Sequence, residues 1–176
     1  MRSIRRVTLA ALTLSAVHIA PAAAQTGDQA VIPATSNWVS LSGPRFGATI
    51  VTGEAGDRLR EDHGLRPLLT QFGWQFERRF FDTDAGIGGV NELIFLIGGL
   101  DQGTAIPSVS WVVGIRNNDG LEVGVGPNLS PAGIALAMGG GVTLRAGSVN
   151  FPLNLALVSS DSGVRISTLV GFTTRR

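Results

Sequence analysis

The stretch GIALAMGGGVTLR, residues 133–145, alternates large apolar residues with small ones along its whole length. Successive side chains of a β-strand point to opposite faces of the sheet, so this period of two predicts a strand with two different faces. The small face holds only alanine, glycine and threonine until Arg145. The large face carries Ile134, Leu136, Met138, Val142 and Leu144.

The same alternation recurs on both sides of this stretch, and short turn-forming sequences such as NNDG at 117–120 separate the segments. The pattern predicts an all-β fold, an antiparallel up-and-down β-barrel of about eight strands. One charged segment, residues 54–69, interrupts the pattern as a short helix ended by Gly64 or as a surface loop. The predicted strands are 45–52, 68–80, 90–100, 107–117, 120–129, 133–145, 148–159 and 163–173.

The composition of the two faces indicates which solvent each one meets. A soluble barrel would show its second face to water, where charged and long polar residues are expected. Instead that face is mostly small, the chain has no lysine, and only 15% of its residues are charged. Small residues suit the crowded interior of a narrow barrel, and large apolar residues suit a lipid-facing exterior. The alternation therefore favours a membrane-spanning barrel.

Residues 1–24 have the pattern of a cleaved secretory signal peptide, with basic residues, an apolar run and small residues before Gln25. An uncleaved N-terminal anchor is the alternative. We divide the chain into this signal peptide, a leader segment (25–43), in which 38–41 is a possible short strand, and a β-barrel domain (44–176). Three of the 14 Lys and Arg residues would leave with the signal peptide, so 11 arginines remain against 13 acidic residues, a net charge of −2. This balance does not suggest nucleic-acid binding.

Several charged residues fall on the small face and are expected to form a lumen charge network, since ionic groups inside a barrel need partners. The alternative is that they are scattered surface charges at hairpin ends. Aromatic residues on the large face are expected to lie at the membrane interfaces, with Trp74 and Trp111 toward the outer ends of their strands. The network candidates are Glu77, Glu92, Arg116, Glu122, Arg145 and Arg165. The interface aromatics are Phe46, Trp74, Phe80, Trp111, Phe151 and Phe172.

Behind a signal peptide, the strand count and the final strand VRISTLVGF at 164–172 make the chain resemble the small eight-stranded outer-membrane barrels of Gram-negative bacteria. The resemblance covers about residues 44–173. It implies an outer-membrane location, contact with outer-membrane lipid, and folding by the barrel-insertion machinery.

Three functions remain open from the sequence. The first is a small outer-membrane barrel with a structural or interaction role, whose lumen is filled by side chains and is not a general pore. The second is a soluble periplasmic or secreted barrel that binds an apolar ligand, with its large face inward. The third is a lipid-modifying outer-membrane enzyme, for which the weak catalytic candidate is His63 beside a serine such as Ser108 or Ser110. We expect no cofactor and no metal site, because one histidine supplies too few ligands.

Overall fold

Antiparallel hairpins join each strand to the next along the chain, and the first strand pairs with the eighth. The computed structural model describes residues 40–174, so the predicted signal peptide and most of the leader segment lie outside the described residues. The strands are β1 (Gly43–Val51), β2 (Leu68–Asp82), β3 (Ile87–Gly98), β4 (Ile106–Asn117), β5 (Leu121–Ser130), β6 (Gly133–Ala146), β7 (Val149–Ser160), β8 (Gly163–Gly171) and β9 (Thr173–Thr174).

β9 continues the line of β8 after Phe172 and pairs with the first residues of β7, so the barrel wall has eight strand positions. The predicted antiparallel up-and-down barrel is confirmed. Its predicted strand bounds differ from the observed ones mainly around the second hairpin, where β2 extends to Asp82 and β3 starts at Ile87. Residues 40 and 41 belong to no strand.

The two ends of the barrel differ. We call the end where β1 begins and β8 stops the terminal end, and the opposite end the helix end. The terminal end has tight turns, one of which places Gly120 at a φ of 86°, a conformation that favours glycine. The Gly120 N–H donates to the Asn117 carbonyl at 3.0 Å in that turn.

The charged insertion between β1 and β2 forms α1 (Gly53–Glu61) at the helix end. Gly64, at a φ of 65°, follows the helix, so the structure decides for the short helix over the surface loop that the sequence also allowed. Backbone hydrogen bonds fix the insertion to the rim: the Ala55 N–H donates to Ser162 O and the Val51 N–H to Pro67 O, both at 2.9 Å. Among residues 40–174, no helix is long and apolar enough to cross a membrane.

The barrel is inverted relative to a soluble protein. Among the described residues, 32 large apolar side chains are exposed, whereas only eight apolar residues are buried alongside 11 polar or charged ones. Water does not tolerate an apolar surface of this extent, but a bilayer covers it. The large face therefore points outward, which is opposite to what a soluble barrel with an apolar ligand inside requires.

Every interface aromatic named from the sequence is exposed on the outer face of the wall. Trp74 and Trp111 lie at the middle of β2 and β4, not toward their outer ends as expected. The indole N–H of Trp111 donates to Asn91 Oδ1 on β3 at 2.7 Å, so its polar atom is satisfied without reaching an interface. Ring contacts instead link neighbouring strands on one flank, for example Phe46 with Phe72 at 5.3 Å and Phe76 with Phe95 at 6.0 Å.

A β-bulge near the terminal end of β2 explains a departure from simple alternation of the side chains. The register of β2 against β3 shifts between Arg79 and Phe81, so one extra residue enters β2. Phe80 and Phe81 are consequently both exposed, and their rings meet edge to face at 5.2 Å. Strict period-two reasoning would have placed one of them inside.

Candidate functional site

Arg116 is the centre of a buried ion cluster at the terminal end of the lumen. Its guanidinium donates two parallel hydrogen bonds to Glu77, from Nη1 to Oε1 at 2.9 Å and from Nη2 to Oε2 at 2.6 Å. Its Nε donates to Glu122 Oε2 at 2.7 Å, and Nη2 approaches Glu92 Oε1 at 3.3 Å. The side chains of all four residues are less than 10% exposed. Bidentate charge-assisted bonds of this kind hold a guanidinium in a single geometry.

Gln75 and Arg45 extend this cluster toward β1. Gln75 donates from Nε2 to Glu92 Oε1 at 2.8 Å, and its Oε1 accepts from Arg45 Nε at 3.0 Å. Arg45 is completely buried and also donates from Nη2 to Leu41 O at 2.7 Å. We call the set Arg45, Gln75, Glu77, Glu92, Arg116 and Glu122 the Arg116 cluster.

The cluster is compact because the strand register puts its members at neighbouring positions. Glu77 lies opposite Glu92 on β2 and β3, and Arg116 lies opposite Glu122 on β4 and β5. Directly opposed like charges destabilise a sheet, so the pair Glu77–Glu92 requires the cation that reaches across from β4. Removing Arg116 would leave three buried carboxylates without the cation that contacts them directly.

A second polar group lies at the helix end of the lumen. Asn128 is 2% exposed, and its Nδ2 donates to Ser108 Oγ and to Ser110 Oγ, both at 2.8 Å. Its Oδ1 accepts from Arg165 Nη2 at 2.7 Å. We call Ser108, Ser110, Asn128 and Arg165 the Asn128 cluster. It contains one cation and no acid.

Between the two clusters the lumen holds a cavity of about 80 Å³. Small side chains leave this space, including Gly114 on β4, Gly124 on β5 and Ala156 on β7. Two polar atoms among its lining residues, Gln71 Oε1 and Asn154 Oδ1, are buried without a hydrogen-bond partner among the described residues. The middle of the lumen therefore has room for water or a small polar ligand.

The structure brings together four of the six network candidates, Glu77, Glu92, Arg116 and Glu122. Arg145 is not among them: its side chain is exposed, and its Nη2 donates to Asn118 O in a turn at the terminal end. Arg165 does face the lumen, but at the helix end, because β8 begins there at Gly163. The alternation predicts only which face of the strand a side chain occupies. Its position along the barrel axis depends on the register of the strand against its neighbours.

Sequence reasoning missed Arg45, which is fully buried in the Arg116 cluster. Its signal was present, because Arg45 shares a face with Gly47 and Thr49 on the first strand. That strand is short and its alternation is weak, so its facing was not assigned. Gln75 and Asn128 were also missed as network members, since uncharged polar residues carry no distinctive pattern in a barrel strand.

The catalytic candidates are not brought together. His63 is exposed in the insertion after α1, whereas Ser108 and Ser110 lie inside the lumen as acceptors for Asn128. Nothing in the described part of the chain joins His63 to a serine by a hydrogen bond. Among residues 40–174 there is also no group of three or more potential metal ligands.

Comparisons with known proteins add little to this geometry. No family model matches the chain, and no curated protein matches it. One similar solved structure is Ail, the attachment invasion locus protein of Yersinia pestis, at 13% sequence identity and a TM-score of 0.29. The match covers 77% of this chain and 97% of that one. The fold and the site are therefore assigned from the chain's own strand pairing and contacts.

Proposed function

We propose that this chain is a closed outer-membrane barrel with a structural or interaction role, and that it is neither a general pore nor an enzyme. The observation that carries the proposal is the inverted barrel, apolar outside and with the buried Arg116 cluster inside. Its eight full strands contain 9 to 15 residues, against the ~9–11 that span a bilayer as tilted strands. Closed barrels satisfy all of their backbone groups within the wall, and such single-chain barrels belong to outer membranes.

The buried position of the Arg116 cluster supports a non-conducting barrel. Arg116 and its three carboxylate partners are tied to one another from four strands, and Asn154 on β7 also donates to Glu122. An eight-stranded barrel is narrow enough for side chains to occupy its cross-section. Ions crossing the lumen would have to displace this buried network.

The helix end supports an interaction role, because its insertion is folded and attached to the barrel. Arg66 pairs with Asp101 at 3.3 Å, and Gln102 Nε2 donates to Leu68 O at 2.9 Å. The insertion and the β3–β4 connection, which contains Asp101 and Gln102, are thus attached to each other and can present fixed side chains to a partner. The β5–β6 and β7–β8 connections at this end are two-residue turns. In this proposal outer-membrane lipid covers the apolar outer face of the barrel, and the barrel-insertion machinery acts during biogenesis.

Fractionation and conductance test the proposal. We expect the chain in the outer-membrane fraction, insoluble in sarkosyl, with a gel mobility that changes on boiling. In planar bilayers the wild-type barrel should give no stable conductance, and Arg145→Ser should behave in the same way. Arg116→Ser, which removes the centre of the cluster, should give measurable conductance steps. A steady open channel in the wild-type protein, or recovery from the soluble periplasmic fraction, would contradict the proposal.

The non-catalytic part has its own test. Lipids from cells that express the wild-type chain should have the same acyl composition as lipids from cells that lack it. A change in acylation that disappears with His63→Ala would overturn this part and leave the barrel assignment intact.

A further inference from the structure

Arg165 is a lumen cation with no ion pair among residues 40–174, where no carboxylate oxygen lies within 4.0 Å of its guanidinium. Within the same residues its guanidinium makes one hydrogen bond, the 2.7 Å contact from Nη2 to Asn128 Oδ1. A guanidinium has five N–H donors, so four remain for another acceptor. Arg116, by contrast, is surrounded by carboxylates.

Hydroxyl groups close to Arg165 add further donors. Because Asn128 Oδ1 accepts from Arg165, the orientation of its amide is fixed, and Nδ2 points at Ser108 and Ser110. Both serine oxygens act as acceptors in these bonds, so their own hydroxyl hydrogens are left for another partner. The Asn128 cluster therefore presents a guanidinium and two hydroxyls that still have hydrogens to donate.

The adjoining cavity has room for an acceptor. All four members of the Asn128 cluster line the cavity of about 80 Å³. One water needs about 10–15 Å³ measured in this way, so the space holds a few waters or one small ion. Thr49 and Ser167, which share a hydrogen bond at 2.6 Å, also line the cavity.

The acidic residues of the same cavity are distant from Arg165. Glu92 and Glu122 line its terminal side, where both are engaged by Arg116. Asn128 and Glu122 lie on one face of β5, six residues apart, which is about 20 Å of strand at ~3.3 Å per residue. The cation and the acids therefore occupy opposite sides of the space.

We propose that the Asn128 cluster binds one small oxyanion, no larger than phosphate, in the helix-end half of the lumen. Guanidinium groups match the geometry of phosphate and carboxylate oxygens through parallel hydrogen bonds, and hydroxyls complete such sites. The size of the cavity excludes a lipid headgroup with its attached chains. Arg165 is the principal ligand-binding residue, and Asn128 positions both the guanidinium and the serines.

A titration of the refolded full chain in a phosphate-free, uncharged detergent tests the site. The probe is inorganic phosphate, compared with sodium chloride at the same ionic strength, and the readout is the NMR signals of the Asn128 side-chain amide and Arg165 Nε–H. We expect saturable shifts with phosphate only. Arg165→Gln, which keeps an amide donor for Asn128 but lacks the charge, should weaken binding at least tenfold. Arg145→Gln, an exposed arginine at the other end, should bind as the wild type does.

Several results would contradict an oxyanion site at the Asn128 cluster. No saturable shift in the wild-type protein, or equal shifts in Arg165→Gln, would overturn the site. Equal shifts with chloride would mean a nonspecific counterion, which also overturns it. Shifts in phospholipid liposomes that contain no free phosphate would assign the signal to a headgroup and overturn the internal site. If Arg165→Gln does not fold, Arg165→Lys replaces it, and the wild-type titration is decisive without either variant. None of these outcomes depends on whether the barrel conducts ions.

Discussion

At the terminal end of the lumen Arg116 is surrounded by three carboxylates, whereas at the helix end Arg165 has one neutral amide as its partner. Both arginines come from the small face of a strand, and both point inward. The difference shows that a lumen charge can serve two purposes. In the Arg116 cluster the ions compensate one another, while in the Asn128 cluster the cation is the one for which we propose a ligand.

Arg116→Met should have the largest effect on stability. The variant leaves Glu77, Glu92 and Glu122 buried together, and loss of one member of a buried ionic group costs about 3–5 kcal/mol. The measurement is the free energy of unfolding in urea, followed in liposomes by the change in gel mobility. A loss below about 1 kcal/mol would mean that water already compensates the carboxylates, and the contrast between the two ends would disappear.

Glu77→Gln and Glu92→Gln should separate the members of the cluster. Glu77 accepts the bidentate pair from Arg116, so its neutral variant should lose about 2 kcal/mol of unfolding free energy. Glu92 meets Arg116 at the longer distance of 3.3 Å, and a glutamine in its place can still accept from Gln75 through its amide oxygen. The neutral variant also relieves repulsion from Glu77, so the change should stay below about 1 kcal/mol. Equal losses in the same unfolding assay would show that charge, and not geometry, holds the cluster together.

Asn128→Ala should cost about 1–2 kcal/mol, because it removes the buried partner of two serines and one arginine. The loss should be smaller than that of Arg116→Met, since no buried carboxylate becomes unpaired. Asn128→Asp is the matched control: it keeps the shape and gives Arg165 a carboxylate partner. If this control failed to retain more stability than Asn128→Ala, Arg165 would not be the uncompensated cation inferred here.

Arg165→Met should have the smallest effect, a change of less than about 1 kcal/mol in unfolding free energy. One hydrogen bond to Asn128 is lost, and a half-buried charge without a counterion is removed, so the two contributions oppose each other. The same substitution is made at Arg116, so the ratio of the two losses measures the difference between the ends directly. A loss as large as that of Arg116→Met would indicate a stabilising partner for Arg165.

The facing of many wall residues could be predicted from the sequence, because side chains along a strand alternate between its two faces. The inward positions of Glu122 and Arg165 and the outward positions of Leu136 and Met138 followed from local alternation. The lumen was harder to read. Glu77 and Glu92 could be placed on the small face, but their apposition depends on how β2 is staggered against β3.

The positions that differ from the sequence-based prediction also depend on how neighbouring strands pair. A bulge of one residue put both Phe80 and Phe81 on the outer face, and no sequence pattern around these residues predicted the bulge. Arg145 and Arg165 were indistinguishable by facing, yet one is exposed at a turn and the other hydrogen-bonds within the lumen. Trp111 could stay at mid-strand because a neighbouring strand supplied Asn91 as its acceptor.

The sequence by itself determined the strand number, the antiparallel order and the inverted distribution of apolar residues, since each depends on spacing within one strand or across one turn. Only the tertiary structure decided which charges meet, where the cavity lies and that Arg165 forms no ion pair within residues 40–174. Those features arise from barrel closure and strand stagger, which join residues from β1 to β8 that are distant along the chain. The hydrogen bond between Thr49 on β1 and Ser167 on β8, across 118 positions of sequence, is a direct result of that closure.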